Sequence, residues 1–328
     1  MKYLVTGGAG FIGSEFVRQL VKKNEEVIVV DCLTYAGDFK RLESVKDKII
    51  FYQVDITDKV SLEKIFLQHK PNIVVHFAAE SHVDRSIIKP LSFIKTNVEG
   101  TFNLLDLSRK FNVEKFINIS TDEVYGEIKE GSFKEESPLC PSSPYSASKA
   151  AQDLLAKAYI RTYNLPVIII RPSNNYGAWQ YPEKFIPVVI YKAIKEQPIP
   201  IYGTGENIRQ WLYVEDCVDG ILQIIEKGKI GETYNIASKD ELKNIDVAKY
   251  ILKILNKPDK LLTFIKDRHG HDFRYSIDTT KGQKEIGWQQ KTSFQEGIKK
   301  TVDWYIKNFD WLEEKVQYLQ DYWKKVYG

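Results

Sequence analysis

The stretch Val5–Gly13, VTGGAGFIG, decides the fold. It follows the apolar run KYLVT and leads into a segment, Phe11 to Lys23, whose apolar residues fall at helical spacing. A strand that turns through close-set glycines straight into a helix is the opening unit of a strand–helix–strand repeat. Gly8, Gly10 and Gly13 satisfy G-x-G-x-x-G, and Gly7, Gly10 and Gly13 satisfy G-x-x-G-x-x-G. Glycine at such positions lets the backbone approach a pyrophosphate and turns the helix N-terminus toward it. Glycine patterns arise by chance, so the weight rests on context. Here the strand and the helix are in place, and Asp31 closes the second apolar run, EVIVV. An acid there accepts hydrogen bonds from ribose hydroxyls and repels a 2′-phosphate, which favours NAD over NADP. In VDITD, Asp55 ends the third run at a place suited to the adenine edge, or else it is a plain helix cap ahead of Asp58.

Working outward, IIFYQV, NIVVHFA, KFINIS and PVIIIR continue the series of unbroken β-branched runs, separated by segments such as Ser61 to His69 with helical periodicity. Unbroken runs belong to strands covered on both faces, hence to a parallel sheet. The expected fold is α/β, a Rossmann-type doubly wound parallel sheet over residues 1–171. After Arg171 the rhythm breaks into RPSNNYGAWQYPEKFIP, a long functional loop. Residues 172–328 are expected to form mainly a smaller mixed α/β substrate-binding lobe, with some segments free to return to the sheet. From Asp310 onward Trp311, Leu312, Val316, Leu319 and Trp323 predict one amphipathic helix packed on its own chain.

Composition narrows the class. The net charge of +3 is too small to argue for nucleic acid or a membrane surface, so an anionic ligand must be met by local Lys and Arg. Cys32, Cys140 and Cys217 are odd in number and form no C-x-x-C, which points to a reducing compartment, with neither a disulfide framework nor a zinc site. The N-terminus lacks the apolar length of a signal peptide, and no run is long enough to span a bilayer. The cytoplasm is the expected location.

Two motifs carry chemistry. YSASK sets Tyr145 and Lys149 four apart, on one face of a helix. A lysine near a phenol, together with a nicotinamide's positive charge, lowers the phenol pKa and lets it take a proton from a sugar hydroxyl. The spacing alone is weak, since Tyr125 with Lys129 and Tyr191 with Lys195 share it. Only Tyr145 opens the amphipathic segment between the fifth and sixth apolar runs. The second motif, STDEVYG, ends the fifth run on adjacent acids, Asp122 and Glu123. Either they sit in solvent at a turn, or they act as a pair in a closed site, where two neighbouring carboxylates do not both ionise readily.

The glycine loop, YSASK and the Asn97 of TNVEGT together resemble the extended short-chain dehydrogenase/reductase superfamily over nearly the whole chain. Within it, STDEVYG, HFAAESHVDRSI, RPSNNYGAWQYPEKFIP and DRHGHDFRYSID resemble the dTDP-glucose 4,6-dehydratase family. The resemblance implies an NAD-dependent lyase that oxidises C4, eliminates water across C5–C6 and returns hydride to C6. It implies Glu123 as the C5 base, Asp122 as the acid at C6, and Thr121 beside Tyr145 and Lys149 at C4. It implies NAD contacts at Gly7, Gly10, Phe11, Ile12, Gly13, Asp31, Thr34, Asp55, Ile56, Ala78, Ala79, Thr96 and Asn175, besides Tyr145 and Lys149. It implies sugar and diphosphate contacts at Ser81, His82, Thr121, Asn174, Glu183, Lys184, Arg209, Asn244, Arg268, His271 and Tyr275, with Arg209, Arg268 and His271 supplying positive charge. No metal is expected, and a homodimer is, through the helix carrying Tyr145 and the one near Asn97 to Lys110. Ala178 and Trp179 border the substrate loop and leave the nucleobase, dTDP or UDP, open. A nucleotide-sugar 4-epimerase and a non-catalytic NAD-binding regulator are the competing readings. The adjacent acids argue against the first, and the set Thr121, Tyr145 and Lys149 against the second.

Overall fold

A computed structural model describes residues 1–327. The apolar runs become β1 (Lys2–Thr6), β2 (Glu26–Val30), β3 (Ile49–Tyr52), β4 (Ile73–His76), β5 (Lys115–Ile119) and β6 (Val167–Pro172). Between them lie α1 (Phe11–Lys22), α2 (Lys59–His69), α3 (Val83–Ile88), α4 (Pro90–Phe93), α5 (Thr101–Lys110) and α6 (Pro144–Tyr163). A π-helical stretch, Ile94–Gly100, joins α4 to α5. Beyond β6 the chain adds β7 (Asn174–Tyr176), β8 (Ile199–Tyr202), β9 (Ile208–Tyr213), β10 (Thr233–Ile236), β11 (Glu241–Lys243) and β12 (Leu262–Ile265). The accompanying helices are α7 (Phe185–Ile194), α8 (Val214–Lys227), α9 (Asn244–Ile254), α10 (Thr280–Ile286), α11 (Phe294–Lys307), α12 (Phe309–Gln317) and α13 (Gln320–Tyr327).

The main sheet has the order β10-β6-β5-β4-β1-β2-β3, with every neighbouring pair parallel. β1 pairs with β2 from Lys2↔Glu26 to Thr6↔Val30, and with β4 from Tyr3↔Ile73 to Thr6↔His76. Strand order reverses at β1, so a crevice opens at the carboxyl ends of β1 and β4. Apolar layers cover both faces. Phe16, Val17 and Leu20 of α1 pack on one side with Ile221 and Ile224 of α8, while Leu62, Phe66, Leu104 and Ala156 pack on the other. Only β3, at the sheet edge, is half-exposed, and it stops at Tyr52 rather than Val54, since an edge strand has a single ladder to hold it.

β10 comes from beyond Arg171 and completes the sheet beside β6, from Thr233↔Ile169 to Ile236↔Pro172. α8 also packs on the sheet, while much of the remaining second half builds a separate core that includes Val189, Ile190, Val247, Ile251, Ile298, Val302 and Leu312. The tail departs from the expected single helix. α12 ends at Gln317 and α13 begins at Gln320, because two anchors pull in different directions. Trp311 Nε1 and Lys315 Nζ both donate to Asp38, at 2.8 and 2.9 Å, while Tyr322 of α13 packs against the His82 ring and the Arg85 guanidinium.

One buried cation ties the halves together. The Arg41 guanidinium donates to the carbonyls of Ala9 in the glycine loop (2.8 Å), Ala36 (2.6 Å) and Trp179 in the long loop (2.9 Å). Trp179 has a φ of 69°, an uncommon value for a large side chain, and its ring is wedged between Trp304 and Trp311.

Candidate active site

The crevice begins with backbone. Gly10 caps α1 without any side-chain hydrogen bond, which leaves amide N–H groups at the helix start for an anion. Gly7 has φ 69°, and a Cβ on Gly13 would lie 2.2 Å from the Gly7 carbonyl oxygen. Glycine at these positions lets the loop close against the start of α1 and against the Ala78 backbone. Asp31 accepts Ala9 N–H and Leu33 N–H, each at 2.9 Å, so it fastens the glycine loop to the turn after β2 as well as lining the crevice. Burial raises its pKa. Asp58, not Asp55, caps α2 by accepting Ser61 N–H, while Asp55 lines the crevice. Phe11, Ile12, Thr34, Ile56, Ala78, Ala79, Thr96 and Asn175 line it too, with Tyr145 and Lys149 at its inner end. These residues fit a dinucleotide.

At the inner end β5 runs into a single turn, Asp122–Tyr125, capped by the Thr121 hydroxyl, which accepts Glu123 N–H at 3.3 Å. The acids are not at a solvated turn. Asp122 is 2% exposed, and its Oδ2 is buried without a hydrogen-bond partner. Burial first, then the charge of Glu123, pushes Asp122 up to about 7. Glu123 is also raised by burial, but Arg268, Arg209 and Lys184 favour its charged form. The environment therefore treats the two differently: burial and its neighbour's charge favour the proton on Asp122, while three cations favour the charge on Glu123.

Tyr145 opens α6 through a capping box in which Ser143 and Ser146 satisfy each other, with Pro144 in the first turn. The phenol is buried, and burial, Glu123 and Asp122 raise its pKa while the Thr121 hydroxyl lowers it. The Lys149 ammonium donates to the Ile119 carbonyl (2.7 Å) and Gln152 Oε1 (2.6 Å), and burial lowers its pKa to about 8. The other Tyr–Lys pairs are elsewhere. Tyr125 is held by Arg171 and Asn235, and the Tyr191 ring stacks on Phe309.

A second cleft meets the first at Glu123. Ser81, His82, Asn174, Glu183, Lys184, Arg209, Asn244, Arg268 and His271 line it. Two of these, and Tyr275 outside the lining, work differently from the expectation. His82 donates from Nε2 to the Glu183 carbonyl (3.0 Å) and accepts Asp84 N–H on Nδ1, a neutral ring held well below its ordinary pKa by burial. His271 is lowered to about 4 by burial and by Arg268, so it supplies no positive charge near neutral pH; Arg209, Arg268 and Lys184 do. Tyr275 lies behind the wall, where its hydroxyl donates to Asp272 (2.7 Å) and its ring supports the Arg209 guanidinium at 4.1 Å. His271 and Asp272 turn to different partners, Asp267 and Ser142, and among the described residues no cluster is suited to a metal ion.

Sequence reasoning missed several wall residues. Pro200, Tyr202, Trp211 and Tyr327 line the second cleft, and Glu80 and Arg41 the first. It also missed Arg85, which pairs with Glu183 at 2.7 Å between the rings of Tyr35 and Tyr322. Pro200 and Tyr202 stand in β8 itself, and no local signal marks Tyr327, whose place depends on how α13 folds back.

The fold and the paired clefts define an NAD-type dehydrogenase scaffold carrying an acid–base pair beside the tyrosine. The family model described as GDP-mannose 4,6 dehydratase matches residues 4–301, and the chain belongs to that family. It is similar to dTDP-glucose 4,6-dehydratase of Neisseria meningitidis serogroup B, 46% identical over 95% of each chain. A solved structure of DesIV, a dTDP-glucose 4,6-dehydratase from Streptomyces venezuelae with NAD bound, is 44% identical with a TM-score of 0.94, covering 96% of this chain and 100% of that one. UDP-glucose 4-epimerase of Thermotoga maritima shares the fold at 33% identity and a TM-score of 0.89, covering 94% and 100%.

Proposed function

We propose that this chain converts dTDP-glucose to dTDP-4-keto-6-deoxyglucose with tightly held NAD. The observation that carries the reading is the buried Asp122–Glu123 pair, split by its surroundings into an acid and a base and set beside Tyr145 where the two clefts join. An epimerase, which only inverts C4, has no use for a second acid–base pair.

Tyr145, with Thr121 at its hydroxyl, takes the proton of the C4 hydroxyl as a phenolate, a state that the Lys149 ammonium and a bound nicotinamide's positive charge would favour against the effect of burial. NAD held along Gly7, Gly10, Gly13, Asp31 and Tyr145 would supply a hydride acceptor for C4 and a hydride donor for C6. Glu123 removes the C5 proton, which the neighbouring C4 ketone has made acidic. Asp122 donates its proton to the C6 hydroxyl, which leaves as water. A proton then returns to C5, so the balance is the loss of one water with no net oxidation. Lys184, Arg209 and Arg268 meet the diphosphate, for which planar guanidinium groups are suited. In this reading the sheet, residues 1–171 together with the returning β10, holds the cofactor, and most of residues 172–328 holds the substrate. The odd set of free thiols, Cys32, Cys140 and Cys217, supports a cytoplasmic setting.

The test is a panel of glucose nucleotides, read by the alkali-induced absorbance of the keto sugar. Turnover of dTDP-glucose is expected to exceed that of UDP-glucose by on the order of tenfold or more, since the two differ by the thymine methyl and by the ribose 2′-hydroxyl, and a pocket senses one methyl on that scale. Equal use of both would move the reading to a broader nucleotide-hexose dehydratase. Release of one NADH per product would overturn it.

A second copy of the chain is proposed to pack on α5 and α6 as a four-helix bundle. Phe102 on α5 and Leu154 on α6 are 41% and 58% exposed, as is expected of helices with an unfilled outer face. The native protein is expected to run as a dimer at micromolar concentration, and Phe102→Glu with Leu154→Glu as a monomer. A monomeric native mass counts against the bundle.

A further inference from the structure

We propose that Gln152 and Asn118 are positioning residues for Lys149, forming a one-way amide relay that links the Asp153 carboxylate, itself paired with Arg171, to the lysine ammonium. The inference rests on the assignment of Lys149 to the catalytic set.

Tyr145, Lys149, Gln152 and Asp153 follow one another at helical spacing on α6, turned toward β5. Beneath them Asn118 interrupts the apolar run KFINI with an amide. Gln152, Asn118, Asp153 and Arg171 are all fully buried. An amide in such a place must have a partner, but nothing about burial dictates which way round it lies.

Direction comes from the far end. A carboxylate only accepts. Asp153 Oδ2 takes Arg171 Nε–H at 2.8 Å, and its Oδ1 takes Asn118 Nδ2–H at 2.9 Å. With its NH2 committed to Asp153, Asn118 must offer its oxygen on the other side, where it accepts from Gln152 Nε2. Gln152 in turn can present only its oxygen to Lys149, at 2.6 Å. Each group fixes the next, and the last acceptor faces the ammonium. With the Ile119 carbonyl as the second acceptor, two of the three ammonium protons are held and one remains for the crevice. Dipoles aligned in this way reinforce one another in a low-dielectric interior.

Other charges near Lys149 do not substitute for the relay. His76, from β4, is buried and lowered to about 3, so it stays neutral. Asp122 and Glu123 act on the Tyr145 phenol, and Asp153 is the charged partner on the lysine's own helix. Loss of the relay therefore favours the neutral amine, and the lysine's titration moves to lower pH.

The experiment uses the NAD-loaded protein with Gln152→Met and Asn118→Leu, both close in size to the native side chains. Lys149 titration is read directly by competitive acetic anhydride labelling across pH, quantified on the Lys149 peptide, alongside the pH–rate profile. In either variant the labelling midpoint is expected to fall by about one pH unit or more, a tenfold change in the amine's proton affinity. Catalysis is expected to drop about tenfold near pH 8 and to approach the native rate near pH 6, since one unit of pKa is a factor of ten. Gln152→Glu, which keeps the shape and adds charge, is expected to move the midpoint upward. An unmoved midpoint with a uniform loss of rate at every pH overturns the relay. The function itself is tested by Lys149→Met: full activity there overturns Lys149 as a catalytic group, while the labelling still decides the relay.

Discussion

Glu123→Gln is expected to lower turnover of dTDP-glucose by ~10²–10⁴, the usual cost of losing a general base, and to cut solvent deuterium uptake at C5 by a similar factor. Asp122→Asn is expected to lower product formation on the same scale while leaving deuterium exchange at C5 in place, because the base survives and only the acid is lost. The different signatures follow from the surroundings of each group. Lys184, Arg209 and Arg268 favour the charge on Glu123, while Asp122 is raised to about 7 by burial and its neighbour's charge. The pH profile should carry both marks. Activity falls on the acid side as Glu123, raised above its ordinary value, takes up its proton, and on the basic side as Asp122 loses its own near pH 7. Product analysis in heavy water separates the two variants. If both retained native turnover, the proposed elimination chemistry would fall.

Much of this was legible in the sequence because burial on both faces leaves a plain trace. KYLVT, EVIVV and PVIIIR each carry an unbroken apolar stretch with a charged residue only at one end, because helices cover both sides of the sheet, and they form β1, β2 and most of β6. The glycine loop was legible for a steric reason, since no Cβ fits at Gly13. What stayed hidden depends on partners far away in the chain. TYNI gives no hint that it will lie beside β6 as β10, because a four-residue run carries no address. Arg41 sits in the polar-looking stretch FKRLESVKDK, yet it is 1% exposed, since its acceptors come from three separate loops. The charge on His271 was misread because the sequence shows its neighbours in order but not the burial that keeps it neutral. The hydrogen-bond partners of Lys149 were hidden for the same reason: Gln152 is close in sequence, but the amide of Asn118 that orients it comes from another strand.

Asp122→Asn is also expected to make the protein more stable near neutral pH, the reverse of what replacing a buried, hydrogen-bonded group normally does. In the folded chain the carboxyl titrates at about 7, against an ordinary value of 3.8. Below 3.8 it is neutral in both the folded and the unfolded state and costs nothing. As pH rises through that window the unfolded chain ionises and the folded one does not, so stability is progressively lost; above the folded value the loss is complete. A shift of roughly three pH units at about 1.4 kcal/mol each corresponds to ~4 kcal/mol. The asparagine variant has no such charge to confine and escapes the loss. Its stability advantage over the native protein should therefore grow by ~2–3 kcal/mol between pH 5 and pH 8, with the other ionisable groups common to both proteins. Urea unfolding at the two pH values, with saturating NAD throughout, measures it. A variant destabilised equally at both would mean that Asp122 is not held neutral, and the acid at C6 would have to be sought elsewhere. Stability gained where elimination is lost is the expected mark of a carboxyl kept in an unfavourable place because the reaction needs its proton there.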